Sequence, residues 1–291
     1  MEANSAPVHL DSLPNEVFVQ ILSPFTTCEL LPLATVSQRF YALVLRLLHY
    51  RLLLSASLTE YKLILECFHP TSKLTEPHVF CKYLGTPGLS DKYEGEGSLY
   101  ENIDTAQQLG RLGSVYSIFR PVEILDDGTT LNQPSNDKEI PFDSSVAVRR
   151  PVNLEGFEDF SQLCVVVCVV KVLPGTTLLQ SVVNVEKEGI VRLFRGWLKV
   201  QARHQQGSQD QQILWADRYK NVGLKFRVRE ATRLNSNFPV LVHRDEETFS
   251  SYEVVIDELH VRTTRLLLTV EQSLEEQQSS PNAVIFTTSM G

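Results

Sequence analysis

The 291-residue chain lacks the cysteine pattern of a metal-binding or disulfide-bonded protein. Its cysteines are odd in number and irregular in spacing, and none of them forms a Cys-x-x-Cys pair or a Cys/His cluster with zinc spacing. The sequence therefore predicts reduced thiols in a reducing compartment, with no metal and no cofactor. The five positions are Cys28, Cys67, Cys81, Cys164 and Cys168.

An excess of positive charge is also absent. The chain has 27 Lys and Arg residues against 35 Asp and Glu residues, so its formal net charge is -8. Binding to the phosphate backbone of nucleic acid requires clustered basic residues, and this composition argues against it. We expect no nucleic-acid partner.

Long apolar runs are missing as well. The longest apolar stretches are far shorter than a membrane-spanning helix and are broken by Arg or Pro. The first residues have neither the basic start nor the apolar core of a secretory signal. These absences predict a protein without a membrane partner, located in the cytoplasm, the nucleus or both.

No catalytic motif stands out. Gly95-Glu96-Gly97 lacks the third glycine and the Lys-Ser/Thr pair of a phosphate-binding loop. There is no Gly-x-Ser-x-Gly elbow, and the histidines do not have the spacing of a zinc motif. We predict a non-catalytic protein with no catalytic residues, and an enzyme with an unrecognised C-terminal site stays open as an alternative.

The N-terminal part of the chain reads as a run of short helices. Pro14 suits a first helical position, because the N–H that proline lacks would be unpaired there. Apolar residues at helical spacing follow it and predict one apolar face. Thr26 and Glu29 have the spacing of a capping box that starts a second helix. A third helix is predicted from about Val36 to Leu54. The first face consists of Val17, Ile21, Leu22 and Phe25.

These helices hold more leucine than so small a bundle can bury, and exposed apolar surface usually marks a partner site. An ordinary helical cap on the larger domain is the alternative. A fourth helix is predicted over Ser57 to Phe68, within a helical linker at residues 55–80.

Residues 8–54 resemble the F-box family, on an ordered series of short motifs. The resemblance covers about a sixth of the chain. Two prolines, Pro24 and Pro32, depart from the family pattern and affect the shape of the second helix. The motifs are Leu13-Pro14, Glu16, Ile21-Leu22, Glu29-Leu30-Leu31 and Val36-Ser37-Gln38-Arg39-Phe40.

The resemblance implies a function. An F-box binds a Skp-type linker protein, which connects it indirectly to the cullin scaffold of a ubiquitin ligase, while another domain holds an unknown target protein. An F-box protein that acts outside ubiquitination is the alternative. By position in the family pattern, the residues expected to contact the linker protein are Leu10, Leu13, Pro14, Ile21, Leu22, Leu30, Leu31 and Val36.

Residues 81–291 predict a mixed α+β domain for target recognition, with a flexible loop near 126–140. Strand patterns include Leu163 to Leu173 and Val222 to Val228, and helical spacing runs from Ile190 to Leu198 and from Arg262 to Glu276. A β-sandwich is the alternative, and it would require residues 189–203 to be strand. This region resembles the C-terminal regions of uncharacterised F-box proteins of filamentous fungi, through residues 93–100, 213–217 and 221–225. The target-binding candidates are Trp215, Tyr219, Arg227 and Arg229.

Overall fold

The computed structural model describes residues 13–122, 147–172, 179–203, 212–231 and 249–279. Leu10 and the loop predicted near 126–140 lie outside the described residues. No helix of the described residues is both long and apolar enough to span a membrane. The helices are α1 (Asn15–Leu22), α2 (Thr27–Leu33), α3 (Gln38–Ala56), α4 (Thr105–Leu112), α5 (Arg195–Arg203) and α6 (Thr263–Ser279). The strands are β1 (Lys62–Phe68), β2 (Val79–Gly85), β3 (Tyr116–Val122), β4 (Arg149–Leu154), β5 (Phe160–Val172), β6 (Leu179–Phe194), β7 (Leu214–Trp215), β8 (Val222–Glu230) and β9 (Ser250–Arg262).

The three predicted N-terminal helices are confirmed. α2 begins with the predicted capping box, in which Thr26 and Glu29 each accept a hydrogen bond from the other's backbone N–H. The side chain of Ser37 caps α3 by accepting from the N–H of Phe40. Pro32 lies inside α2, which ends one residue later at Leu33.

The fourth predicted helix is wrong. After α3 ends at Ala56, the chain enters the sheet as β1, and it pairs with β5 along the whole length of β1. Leu63, Leu65 and Cys67 point into the main core, while Ile64 is buried on the other face. Because apolar residues occupy both faces, the two-residue period of the strand is hidden in the sequence, and the helical linker predicted at 55–80 is not formed.

The described strands form one antiparallel sheet in the order β6-β5-β1-β2-β3-β9-β8-β7, with β4 also paired to β9. Its two ends meet where the N–H of Ile190 donates to the carbonyl of Ala216, 2.9 Å away. A Cβ on Gly189 would lie 3.0 Å from the Cβ of Ala216 across this junction and 2.8 Å from the Val165 carbonyl oxygen of β5, so the close approach requires glycine. Together with the helices, the nearly closed sheet confirms the α+β class, and the strands of the described residues do not form the alternative of two packed sheets.

The interior of this sheet holds the main apolar core. Alternate residues of β5 point inward and are fully buried, as expected for strands of a barrel. The inward residues of β8 and β9 do the same from the opposite wall. The core residues of these three strands are Leu163, Val165, Val167, Val169, Val222, Leu224, Phe226, Val228, Tyr252, Val254, Ile256, Leu259 and Val261.

The helix predicted from Ile190 to Leu198 is half wrong. β6 continues to Phe194, and α5 begins only at Arg195. Pairing with β5 extends to the last residue of β6, where Phe194 lies opposite Phe160. The ladder with β5 therefore overrides the helical spacing, and the residues from Ile190 to Phe194 alternate between outside and inside.

The predicted helix over Arg262 to Glu276 is confirmed as α6, which joins the two parts of the molecule. Leu266 lies in the core of the sheet, and Leu267 lies in the core of the N-terminal helices. The side chain of Arg265 donates to the Val185 carbonyl of β6. α6 therefore packs between the sheet and the helices.

Candidate functional site

The N-terminal helices leave a set of apolar side chains exposed. Val17 and Ile21 lie four residues apart on α1 and therefore face the same side of the helix. Val36, between α2 and α3, is 65% exposed. We call these residues the apolar helix surface, and its members are Pro14, Val17, Ile21, Phe25, Leu31 and Val36.

The residues that the resemblance assigned to linker-protein contact differ in their exposure. Pro14, Ile21, Leu31 and Val36 are exposed, and Leu13 is half-buried. Leu22 and Leu30 are only 3% and 0% exposed, so they support the surface from beneath and present nothing to a partner.

Two exposed residues of this surface were not predicted as contacts of the linker protein. Val17 and Phe25 were predicted on one apolar face with Ile21 and Leu22. In the structure Leu22 is buried together with Phe18, while Val17, Ile21 and Phe25 are exposed. Val17 lies three residues after Pro14 and four before Ile21, and this spacing could have indicated a shared exposed side.

Contacts from α3 fix the start of α1. The guanidinium group of Arg39 donates to the Leu13 carbonyl and to the Asn15 side chain, the latter at 3.0 Å. It also lies 4.7 Å from the ring centroid of Phe18, which packs edge-on against Phe40. These contacts hold the first turn of α1, and with it Pro14, in one position.

A second set of contacts connects α6 to the end of α1 and the start of α2. Arg51 donates to the carbonyls of Ser23 and Phe25 at 2.9 and 2.5 Å, and to the Glu271 carboxylate at 3.0 Å. The same carboxylate accepts from the backbone and the hydroxyl of Thr27, at 2.9 and 2.7 Å. A residue of the C-terminal region thus fixes the orientation of the apolar helix surface.

The structure does not bring the four candidate target-binding residues together. Trp215 is half-buried, packs against Tyr116 and covers Gly223, where a Cβ would lie 2.7 Å from the indole ring. Tyr219 is exposed in the turn before β8. Arg227 is bound by the Asp257 carboxylate, with distances down to 2.5 Å.

Arg229 is exposed near the end of β8, far along the strand from Trp215. Trp215 and Tyr219 lie near the start of that strand, and Arg227 lies between the two ends. The candidates therefore occupy separate places, and their role in target binding stays a prediction.

An apolar patch that the sequence pattern did not predict lies at the end of the sheet away from the N-terminal helices. Phe160 begins β5 and Phe194 ends β6, and their ring centroids are 5.6 Å apart. Phe157, in the turn before β5, is 86% exposed, and Ile190 is also exposed. These four residues are the rim patch, and Arg192 lies over the Phe160 ring at 5.7 Å. The assignment of 190–198 to a helix concealed it.

Burial shifts the pKa of several titratable groups among the described residues. Burial lowers the pKa of His260, although its contact with Glu258, at 2.8 Å, opposes the shift. Burial raises the pKa of Glu258, but hydrogen bonds from Lys225 and His260 bring it below its usual value. Burial raises the pKa of Cys67 to about 12, so this thiol is no nucleophile at neutral pH. No group of three or more His, Cys, Asp and Glu residues in the described segments could hold a metal ion.

Comparison with known families identifies the helices that carry the apolar helix surface. A family model described as F-box-like matches residues 10–55. The chain therefore contains an F-box-like domain. The matched range includes α1, α2 and nearly all of α3. No curated protein and no solved structure matches the chain. An F-box-like domain supports binding to a Skp-type partner, while the resemblance of the C-terminal region to fungal proteins stays a prediction.

Proposed function

We propose that this protein is a non-catalytic target-recognition subunit of a Skp-cullin-F-box ubiquitin ligase. The apolar helix surface of the F-box-like domain binds the Skp-type linker protein, and the nearly closed sheet domain holds a target protein. The observation that carries the proposal is the exposure of six apolar residues within a domain matched to the F-box-like model. Such a subunit would act in the cytoplasm or the nucleus.

The physical reason for linker binding is the cost of leaving this surface in water. Burying apolar surface stabilises a complex by roughly 25 cal/mol per Å². Part of that gain is lost to the ordering of side chains and of the two molecules, and only the surplus appears as affinity. Ile21, Leu31 and Val36 are exposed despite this cost.

The target-binding part of the proposal is supported by the shape of the molecule. The rim patch lies at the start of β5, while α6 packs near the start of β6, which is opposite the end of β5. Since β5 has 13 residues, these two ends of the sheet are about 40 Å apart. A target on the rim would therefore not compete with the linker protein for space, and exposed apolar patches commonly mark partner sites.

The experiment is a titration of the full chain with a purified Skp-type linker protein. Replacement of Ile21 and Val36 together by Asp should weaken binding about 100-fold, as expected when interface anchors are lost. Both side chains are exposed, so circular dichroism should show an unchanged fold. Leu74→Asp is the matched control, because Leu74 is 96% exposed and lies outside the F-box-like domain.

Equal binding by the wild type and the folded double variant would show that this surface does not carry the interaction. If even the wild type fails to bind, the N-terminal helices form a structural cap and the ligase function is wrong. Loss of binding in the Leu74→Asp control would mean that added charge acts without regard to position.

A further inference from the structure

A groove of about 860 Å³ lies between the F-box-like domain and the C-terminal region. One wall comes from the junction of α2 and α3 and includes Thr35, Ser37 and Tyr41. The other wall comes from residues 93–108, which lie outside the range matched by the F-box-like model. The groove is therefore a feature of this chain as a whole and not of the F-box-like domain alone.

The groove opens directly beside the apolar helix surface. Thr35 and Ser37 both line it, and Val36, between them, is one of the most exposed apolar residues of that surface. A partner that covers Val36 would therefore also reach the mouth of the groove. The groove and the apolar helix surface are therefore adjacent at Val36.

The wall formed by residues 93–108 is held in place by buried contacts with α3. The His49 ring contacts the Tyr100 hydroxyl at 3.1 Å and the Ser90 carbonyl at 3.0 Å. Tyr93 packs against both His49 and Tyr100, with ring centroids 5.6 and 5.1 Å apart.

A further contact joins the two walls. The Tyr41 hydroxyl donates to the Thr105 carbonyl, 2.6 Å away. This contact fixes the two walls relative to each other, which reduces the ordering cost of binding a ligand.

The groove is acidic. Glu94 and Glu101 line it and are exposed, and none of the described residues that line it is Lys, Arg or His. Arg46 lies 6.0 Å from the Tyr93 ring but is not part of the lining. Carboxylates beside tyrosine rings favour a cationic side chain, which can pair with the charge and lie on the ring face.

We propose that the linker protein extends from the apolar helix surface into this groove and places a Lys or Arg side chain between Glu94 and Glu101. Residues 93–108 of the C-terminal region are then a second part of the linker-protein interface. This inference rests on the proposed function, since it concerns the same partner. It goes further by assigning contacts outside the F-box-like domain.

The test is calorimetric titration of the full chain with purified linker protein at low and high salt. The double variant Glu94→Gln/Glu101→Gln should bind about tenfold more weakly at low salt, and its affinity should depend less on salt than that of the wild type. The control Glu188→Gln/Glu275→Gln makes the same change in net charge at exposed glutamates outside the groove, and its affinity should equal the wild-type value.

The outcomes separate this inference from the proposed function. If Ile21→Asp/Val36→Asp abolishes binding while Glu94→Gln/Glu101→Gln has no effect, the function stands and the groove contact is wrong. The contact is equally wrong if the control pair weakens linker binding as much as the groove variant does. Absence of binding by the wild type overturns both proposals.

Discussion

The F-box-like helices and the sheet domain differ in how much of their apolar surface is buried. In the sheet, inward positions are apolar and buried, while neighbouring outward positions carry ion pairs such as Lys225–Glu258 and Arg227–Asp257. In the helices, apolar residues lie on both sides, and Val36 and Ile21 face solvent. The sheet domain thus buries most of its apolar side chains, apart from the rim patch and scattered residues such as Leu74 and Leu84, whereas the helices leave the whole apolar helix surface exposed.

The largest effect is expected at two adjacent leucines of α2, one of which is buried in the core while the other is exposed. Leu30 is 0% exposed and Leu31 is 40% exposed. Leu30→Ala should lower the free energy of unfolding by about 2–5 kcal/mol, because it leaves a cavity in the core. Leu31→Ala should change it by about 0.5 kcal/mol or less and should instead weaken linker binding. Urea unfolding measures the change in stability and calorimetry measures linker binding. Equal losses of stability in the two variants would contradict the assignment of Leu30 to the core and Leu31 to the surface.

The next effect concerns the connection between the two regions. Glu271→Gln removes the carboxylate that accepts from Thr27 and Arg51, so the free energy of unfolding should fall by about 1–3 kcal/mol. Amide hydrogen exchange in α1 and α2 should become faster. Glu275→Gln, at an exposed position of the same helix, should leave both quantities unchanged. If α1 and α2 keep their protection in Glu271→Gln, α6 does not orient the F-box-like domain.

A pH-dependent effect should appear in both regions. Burial lowers the pKa of His49 in the helices and of His260 in the sheet below the ordinary value of 6.5. Asp91 opposes the shift of His49, and Glu258 opposes that of His260. The unfolded chain therefore binds protons first, so the free energy of unfolding is greatest above pH 6.5 and falls as the pH drops below it.

Substitution of each histidine by Gln shows which region loses stability in acid. Urea unfolding between pH 7.5 and pH 5.5 should be less pH-dependent in each single variant and least in the double variant. Carboxylates titrate at lower pH and contribute little in this window. If the free energy of unfolding of the double variant depends on pH as strongly as that of the wild type, protonation of these two histidines on unfolding does not cause the loss of stability in acid.

The smallest effect is expected on the outer face of the sheet. Arg149 and Glu253 form an ion pair of 3.6 Å between β4 and β9, with both side chains well exposed. Arg149→Ala should change the free energy of unfolding by about 0.5 kcal/mol or less, because water and salt screen such pairs. A loss comparable to that of Leu30→Ala would show that outward ion pairs stabilise the sheet as strongly as its core does.

Much of the candidate site was predictable from local sequence signals. The capping box of Thr26 and Glu29, the order of the F-box motifs and the strand pattern of Val222 to Val228 all correspond to observed features. Each depends on a few neighbouring residues and needs no knowledge of the rest of the chain. α4 and the groove wall at 93–108 could not be found in this way, since that wall is held by contacts with the distant α3.

The sequence by itself determined where the F-box-like helices begin and that the chain combines helices with strands. Only the tertiary structure decided that β1 is a strand and that β6 extends to Phe194, because both pair with β5 across more than twenty residues of chain. It also decided that Leu30 is buried and Leu31 exposed. Adjacent leucines are chemically identical, and only the packing of α2 against α3 and α6 makes one of them core and the other surface.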